Sequence, residues 1–131
     1  MPKQHKILIV DDQMGIRILL KETFSEEYQV ELAENGNQAI KKVKQFQPSI
    51  ILLDMKMPDL SGVETLHLIR ELNITVPVIL MSGFDEFDII NKTKGLEQVH
   101  YINKPFDLEE IKMMVKELLL KAKDSNHICS L

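Results

Sequence analysis

Five short aliphatic runs punctuate the chain: KILIV (6–10), YQVELA (28–33), SIILLD (49–54), VPVILMS (76–82) and VHYIN (99–103). Three of these are almost uninterrupted aliphatic, the pattern of strands buried on both faces of a parallel sheet. The stretches between them carry helical periodicity. Asn35 can cap a helix with Gln38 three residues on, followed by Ala39, Ile40, Val43 and Phe46 on one stripe. Ser61 with Glu64, and Asp107 with Glu110, form the same capping-box signature ahead of apolar stripes. Residues 13–25 read as a strong helix and 85–94 as a weaker one. Strict β–α alternation implies right-handed crossovers and helices on both faces of one open sheet. The expected fold class is therefore α/β: a single doubly wound, five-stranded parallel sheet with five helices. With 131 residues and no linker or repeat, one domain is expected over 1–123, with 124–131 a frayed tail.

In open parallel sheets, ligands bind beyond the carboxyl ends of the strands, so the residues just past each strand matter most. Asp11 and Asp12 follow the first run, Asp54 closes the third, Ser82 closes the fourth and Lys104 follows the fifth. Each has a bland explanation alone, since an Asp past a strand is most often a cap or turn former. Together they put three carboxylates, a hydroxyl and an ammonium on one rim. Like charges about 4 Å apart repel by roughly 4 kcal/mol at an effective dielectric near 20. A cation is the natural answer. Clustered carboxylates make a hard oxygen site suited to Mg²⁺, which also binds phosphate oxygens. One carboxylate could then act as nucleophile toward a phosphoryl group, with Ser82 and Lys104 contacting its oxygens.

Other chemistries lack their residues. The net charge of −4 argues against nucleic acid as a partner. Neither G-x-G-x-x-G after the first strand, nor a P-loop, nor a G-x-S-x-G elbow is present. His5, His67, His100 and His127 are scattered, and Cys129 is a lone thiol, so neither zinc nor an internal disulfide is expected. The start MPKQHK has no signal-peptide pattern, and no apolar run approaches a membrane span. No membrane association and a cytoplasmic location are expected.

DD after the first strand, D-x-x-x-P after the third, Ser after the fourth and K-P-F after the fifth resemble the receiver domain of two-component response regulators. The likeness runs from residue 6 to about residue 120. VDDQMGIRILLKETF, LLDMKMP and NKPFDLEEI look most like the stand-alone phosphorelay regulators of sporulating bacteria. The resemblance implies a flavodoxin-like sheet of order 2-1-3-4-5. It implies Asp54 as phosphoacceptor, and Mg²⁺ (or Mn²⁺) on Asp11, Asp12, Asp54 and the Lys56 carbonyl. Ser82 would be the switch hydroxyl, Lys104 the phosphate-pairing lysine and Tyr101 the switch aromatic, while Lys56 and Phe84 would tune the lifetime of the phosphoryl group. Glu97-Gln98 stand where the family often has Gly-Ala, and Gly83 where it often has Ala.

The chain ends about where a receiver ends, so an output by phosphotransfer or partner binding is expected. Met14, Ile16, Ile18, Leu19, Leu20 and Phe24 cover more arc than one core-facing stripe needs. Ile16 and Leu19, with Pro105 and Phe106, are the expected docking residues for a histidine kinase or histidine phosphotransferase. The protein itself is expected to be a monomer and a phosphoacceptor, not an enzyme. A phosphatase of the haloacid dehalogenase type would need Asp two residues past the nucleophile, where this chain has Lys56. A merely structural module would be favoured by loss of Asp11, Asp12, Asp54 or Lys104, and all are present.

Overall fold

The computed structural model describes the backbone of residues 4–83 and 86–129, and the side chains of all of these except 86, 87 and 122–129. Strands β1 (Lys6–Val10), β2 (Gln29–Ala33), β3 (Ile50–Asp54), β4 (Val78–Ser82) and β5 (Val99–Asn103) alternate with helices. The helices are α1 (Met14–Phe24), α2 (Gly36–Phe46), α3 (Gly62–Glu71), α4 (Glu86–Lys92) and α5 (Leu108–Cys129). The strands form one parallel sheet of order β2-β1-β3-β4-β5, as the resemblance implies. The backbone of α5 is helical to Cys129, across most of the segment expected as a tail.

Successive strand residues face opposite sides, so each strand contributes to two cores. Ile7, Ile9, Ile50, Leu52, Ile79 and Met81 pack with Leu20 and Phe24 of α1 and Ile111 and Val115 of α5. Leu8, Val10, Ile51, Leu53, Val78 and Leu80 pack on the other face with Ala39 and Val43 of α2, Leu66 and Ile69 of α3, and Ile89 of α4. The central strands β3 and β4 are buried along their whole length, which is why their runs carry no polar alternation.

Of the three expected capping boxes, one forms as expected and two are changed: at Asn35 the return bond shifts by one residue, and at Asp107 the side chain takes the amide of Glu109 in place of that of Glu110. Ser61 and Glu64 form the full reciprocal capping box. Asn35 Oδ1 accepts from the Gln38 amide at 2.8 Å, but Gln38 Oε1 reaches one residue further back, to the Glu34 amide at 3.0 Å. Asp107 Oδ1 accepts from the Glu109 amide at 2.9 Å.

The loop before β5, where Glu97-Gln98 depart from the family's pattern, is held from a distance. Gln98 takes a left-handed φ of 58° and Gly95 one of 89°. The Arg70 guanidinium of α3 donates to the carbonyls of Ile74 (2.7 Å), Val76 (2.8 Å) and Glu97 (2.9 Å). That clamp fixes the entries to both β4 and β5. Nothing in the local sequence announces it.

Candidate phosphoacceptor and metal site

The topology delivers the rim that the sequence suggests. β1 has β2 on one side and β3 on the other, and the crevice at that switch point opens at the carboxyl ends of the strands. Asp11 directly follows β1, Asp54 ends β3, Ser82 ends β4 and Lys104 directly follows β5. One ligand oxygen from each of Asp11, Asp12 and Asp54 lies within 4.8 Å of the others.

Burial differs sharply across the cluster. Asp11 is 0% exposed and Asp54 5%, whereas Asp12 sits at the exposed rim. The Lys104 Nζ donates to Asp11 Oδ2 at 2.7 Å and to Asp54 Oδ1 at 3.1 Å. Burial pushes the Asp54 carboxyl up to about 6, the negative charge of Asp11 pushes the same way, and Lys104 only partly offsets them. Burial pulls the Lys104 ammonium down, but its bond to Asp11 and the charges of Asp54 and Asp11 outweigh this and leave it raised. The carboxylate at the end of β3 is therefore under-compensated by the lysine alone. A hard divalent cation fits this donor set: three acidic oxygens converge, and one of them carries unrelieved negative charge.

The loop after Asp54 folds back tightly over it. The Gly62 amide donates to the Met55 carbonyl at 2.9 Å, and a Cβ on Gly62 would collide with the Asp54 carbonyl oxygen and the Met55 Cα. Only glycine allows that approach. Lys56 lies exposed in this loop. Ser82 is 3% exposed, and its carbonyl accepts from the Lys104 amide at 2.6 Å, tying the ends of β4 and β5 together. A cleft of about 350 Å³ runs past Ser82, Met55, Lys56, Val63, Ile89 and Lys92.

Tyr101 is partly buried on the face of the sheet covered by α2, α3 and α4, and its hydroxyl shares a hydrogen bond with Thr93 Oγ1. Thr93, just past α4, is 2% exposed and also donates to the Ile89 carbonyl at 2.9 Å. Sequence reading missed Thr93, because one threonine beyond a short helix carries no periodic signal. Phe84 lies outside the described residues.

The apolar residues of α1 and the loop after β5 divide between surface and core. Leu19 is 40% exposed, as are Ile18 (48%) and Met14 (66%), but Ile16 is partly buried against the core under α1. Pro105 is exposed, while Phe106 packs onto the same core. A helix that wide in apolar arc leaves one side uncovered, and that side carries Met14, Ile18 and Leu19 rather than Ile16.

Comparison with known proteins agrees with this geometry. Residues 7–116 match the family model described as the response regulator receiver domain. The chain is 45% identical over 115 residues to sporulation initiation phosphotransferase F of Bacillus subtilis, covering 87% of this chain and 93% of that protein. It is 38% identical over 125 residues to the transcriptional regulatory protein ResD of the same organism, spanning 51% of ResD and 93% of this chain. A CheY-like receiver domain protein from Methanospirillum hungatei superposes with a TM-score of 0.86 at 26% identity, over 92% of this chain and 98% of that one. The fold, the acidic rim and these likenesses together assign the chain to the response regulator receiver family, the phosphoacceptor domains of two-component signalling.

Proposed function

We propose that Asp54 accepts a phosphoryl group from a phosphohistidine of a sensor kinase or histidine phosphotransferase and passes it on. The observation that carries this reading is the state of Asp54: 5% exposed, raised to about 6, and gathered with Asp11, Asp12 and Lys104 at one rim. The carboxylate oxygen of Asp54 bonds to phosphorus while the histidine nitrogen–phosphorus bond breaks, and the electron pair leaves on that nitrogen. Lys104 and the Ser82 hydroxyl are the donors for the phosphoryl oxygens. Asp11, Asp12 and Asp54, with the Lys56 carbonyl, would hold Mg²⁺ or Mn²⁺, which supplies neutralising charge for phosphate when bound. Onward transfer is the same step reversed onto a second histidine. The protein is then a stoichiometric phosphoacceptor, not a turnover enzyme.

The likeness to a phosphotransferase named for sporulation initiation supports a relay, and sporulation as the pathway. The exposed apolar side of α1 with Pro105 supports docking on a helical phosphohistidine protein. A net charge of −4 fits a protein partner and not nucleic acid. Among the described residues no helix is long and apolar enough to cross a membrane. A monomer working in the cytoplasm completes the reading. The test is incubation with labelled acetyl phosphate and Mg²⁺, followed by mapping of the label: it is expected on Asp54, and label elsewhere overturns the assignment.

A further inference from the structure

The turn that carries Asp11 and Asp12 runs into α1 without a side-chain cap. Gln13 takes the N-cap position in extended conformation, its side chain makes no capping bond, and the first turn of α1 has no acidic residue. The Arg17 guanidinium braces the turn instead. Its Nη1 donates to the Asp11 carbonyl oxygen at 2.7 Å, and its Nη2 lies 3.6 Å from Glu34 Oε2, just past β2. The Arg17 side chain is only 13% exposed.

The Asp11 carbonyl belongs to the peptide joining Asp11 to Asp12. A peptide unit is planar and stiff, so holding its oxygen sets the direction in which the Asp12 Cα and side chain depart. The same turn is held on its other side by the Asp11 amide on the Ala33 carbonyl (3.1 Å) and by the Gln13 amide on Asp11 Oδ1 (2.9 Å). Those two bonds orient Asp11. The bond from Arg17 holds the oxygen of the next peptide, the one that leads to Asp12.

We propose that Arg17 is the positioning residue of the acidic pocket, holding the Asp11–Asp12 peptide so that both carboxylates converge with Asp54 on one divalent cation. The role presupposes a cation on this cluster, as the proposed function does. Charge and positioning pull in opposite directions, which makes the role measurable. A cation near the carboxylates repels Mg²⁺, so by charge alone removal of Arg17 should tighten binding. Loss of the bond to the Asp11 carbonyl should instead let Asp12 swing away from the site and weaken binding.

Calorimetric Mg²⁺ titration of wild type, Arg17→Met and Arg17→Lys, each checked by a melting curve to be folded, separates the two. Arg17→Met removes donor and charge, and is expected to weaken Mg²⁺ binding about 10-fold, the usual cost of losing a group that orients a metal ligand. Arg17→Lys keeps the repelling charge but loses the planar fork that holds the carbonyl, and is expected to bind Mg²⁺ more weakly than wild type. If Arg17→Met does not fold, Arg17→Lys decides alone: weaker binding supports the role and unchanged binding overturns it. A folded Arg17→Met that binds Mg²⁺ as well as or better than wild type overturns the inference and leaves the cation site standing. A wild type that binds no Mg²⁺ overturns the cation site and the inference with it.

Discussion

Lys104 bonds more closely to Asp11 than to Asp54, at 2.7 Å against 3.1 Å. The ammonium is thus anchored on the fully buried carboxylate and only leans on the one that ends β3. Asp54 keeps much of its unrelieved charge, as its proposed role as phosphoacceptor requires.

That geometry has a pH consequence. Asp54 must be ionised to act as nucleophile, and its carboxyl is raised to about 6 with Lys104 pulling it down. Acetyl phosphate labelling is expected to fall at acid pH, with a midpoint below about 6 because the Mg²⁺ in the assay favours the ionised Asp54 carboxylate. In Lys104→Met the lowering influence is gone, so the midpoint should move to higher pH while the plateau rate also drops. A pH–rate profile of the two proteins checks this, and an unmoved or lowered midpoint contradicts it.

Asp54→Asn should abolish labelling and stabilise the cation-free fold. A carboxyl at 3.8 when unfolded and about 6 when folded binds more protons in the native state between those values, so stability falls as pH rises through that window. A tenfold change in proton affinity corresponds to about 1.4 kcal/mol, and partial relaxation should leave a gain of about 2 kcal/mol at neutral pH. Denaturant melts at about pH 4.5 and about pH 7 should show this fall in the wild type and its loss in the mutant.

Mg²⁺ should reverse the same penalty. A ligand that binds only the folded cluster stabilises by about 1.4 kcal/mol at about ten times its dissociation constant. Thermal melts across a Mg²⁺ series should rise and then fall back on chelation. Asp11→Ala should flatten the response, and a wild-type melting temperature indifferent to Mg²⁺ contradicts the site.

The exposed side of α1 predicts a split between phosphodonors. Ile18→Ala and Leu19→Ala remove exposed side chains, so transfer from a phosphohistidine protein should slow several-fold while acetyl phosphate labelling and stability stay normal. Ile16→Ala should cost about 1 kcal/mol or more of stability as well, because that side chain packs on the core. Equal losses with both donors for Ile18→Ala would tie this face to the pocket instead.

Lys56, exposed in the loop that follows Asp54, is proposed to lengthen the life of the phosphoryl group. Its long stem can exclude water and offers no carboxylate or amide to orient one. Lys56→Asn should therefore shorten the lifetime of the phosphorylated protein several-fold in an autodephosphorylation assay. The companion variant Phe84→Glu extends the same test to the second position expected to tune the lifetime. Unchanged decay in both variants contradicts the shielding role.

The alternation of strands and helices, the helix starts at Asn35, Ser61 and Asp107, and the identity of the residues at the strand ends were all legible in the chain before it folds. These are local matters: periodicity reports how each element is buried, and a cap lies within a few residues of what it caps. Long-range packing settles what no local pattern encodes. Lys104 reaches Asp11 across 93 residues of chain, Arg70 clamps a carbonyl 27 residues away, and Gly62 is required because the Asp54 backbone passes against it. The apolar arc of α1 predicted that some of its surface would be exposed, but only packing on the sheet chose Met14, Ile18 and Leu19 over Ile16. Arg17 shows why. Its partner is a backbone carbonyl, a group that every residue carries, so the bond leaves no mark in the residue types until the chain is folded.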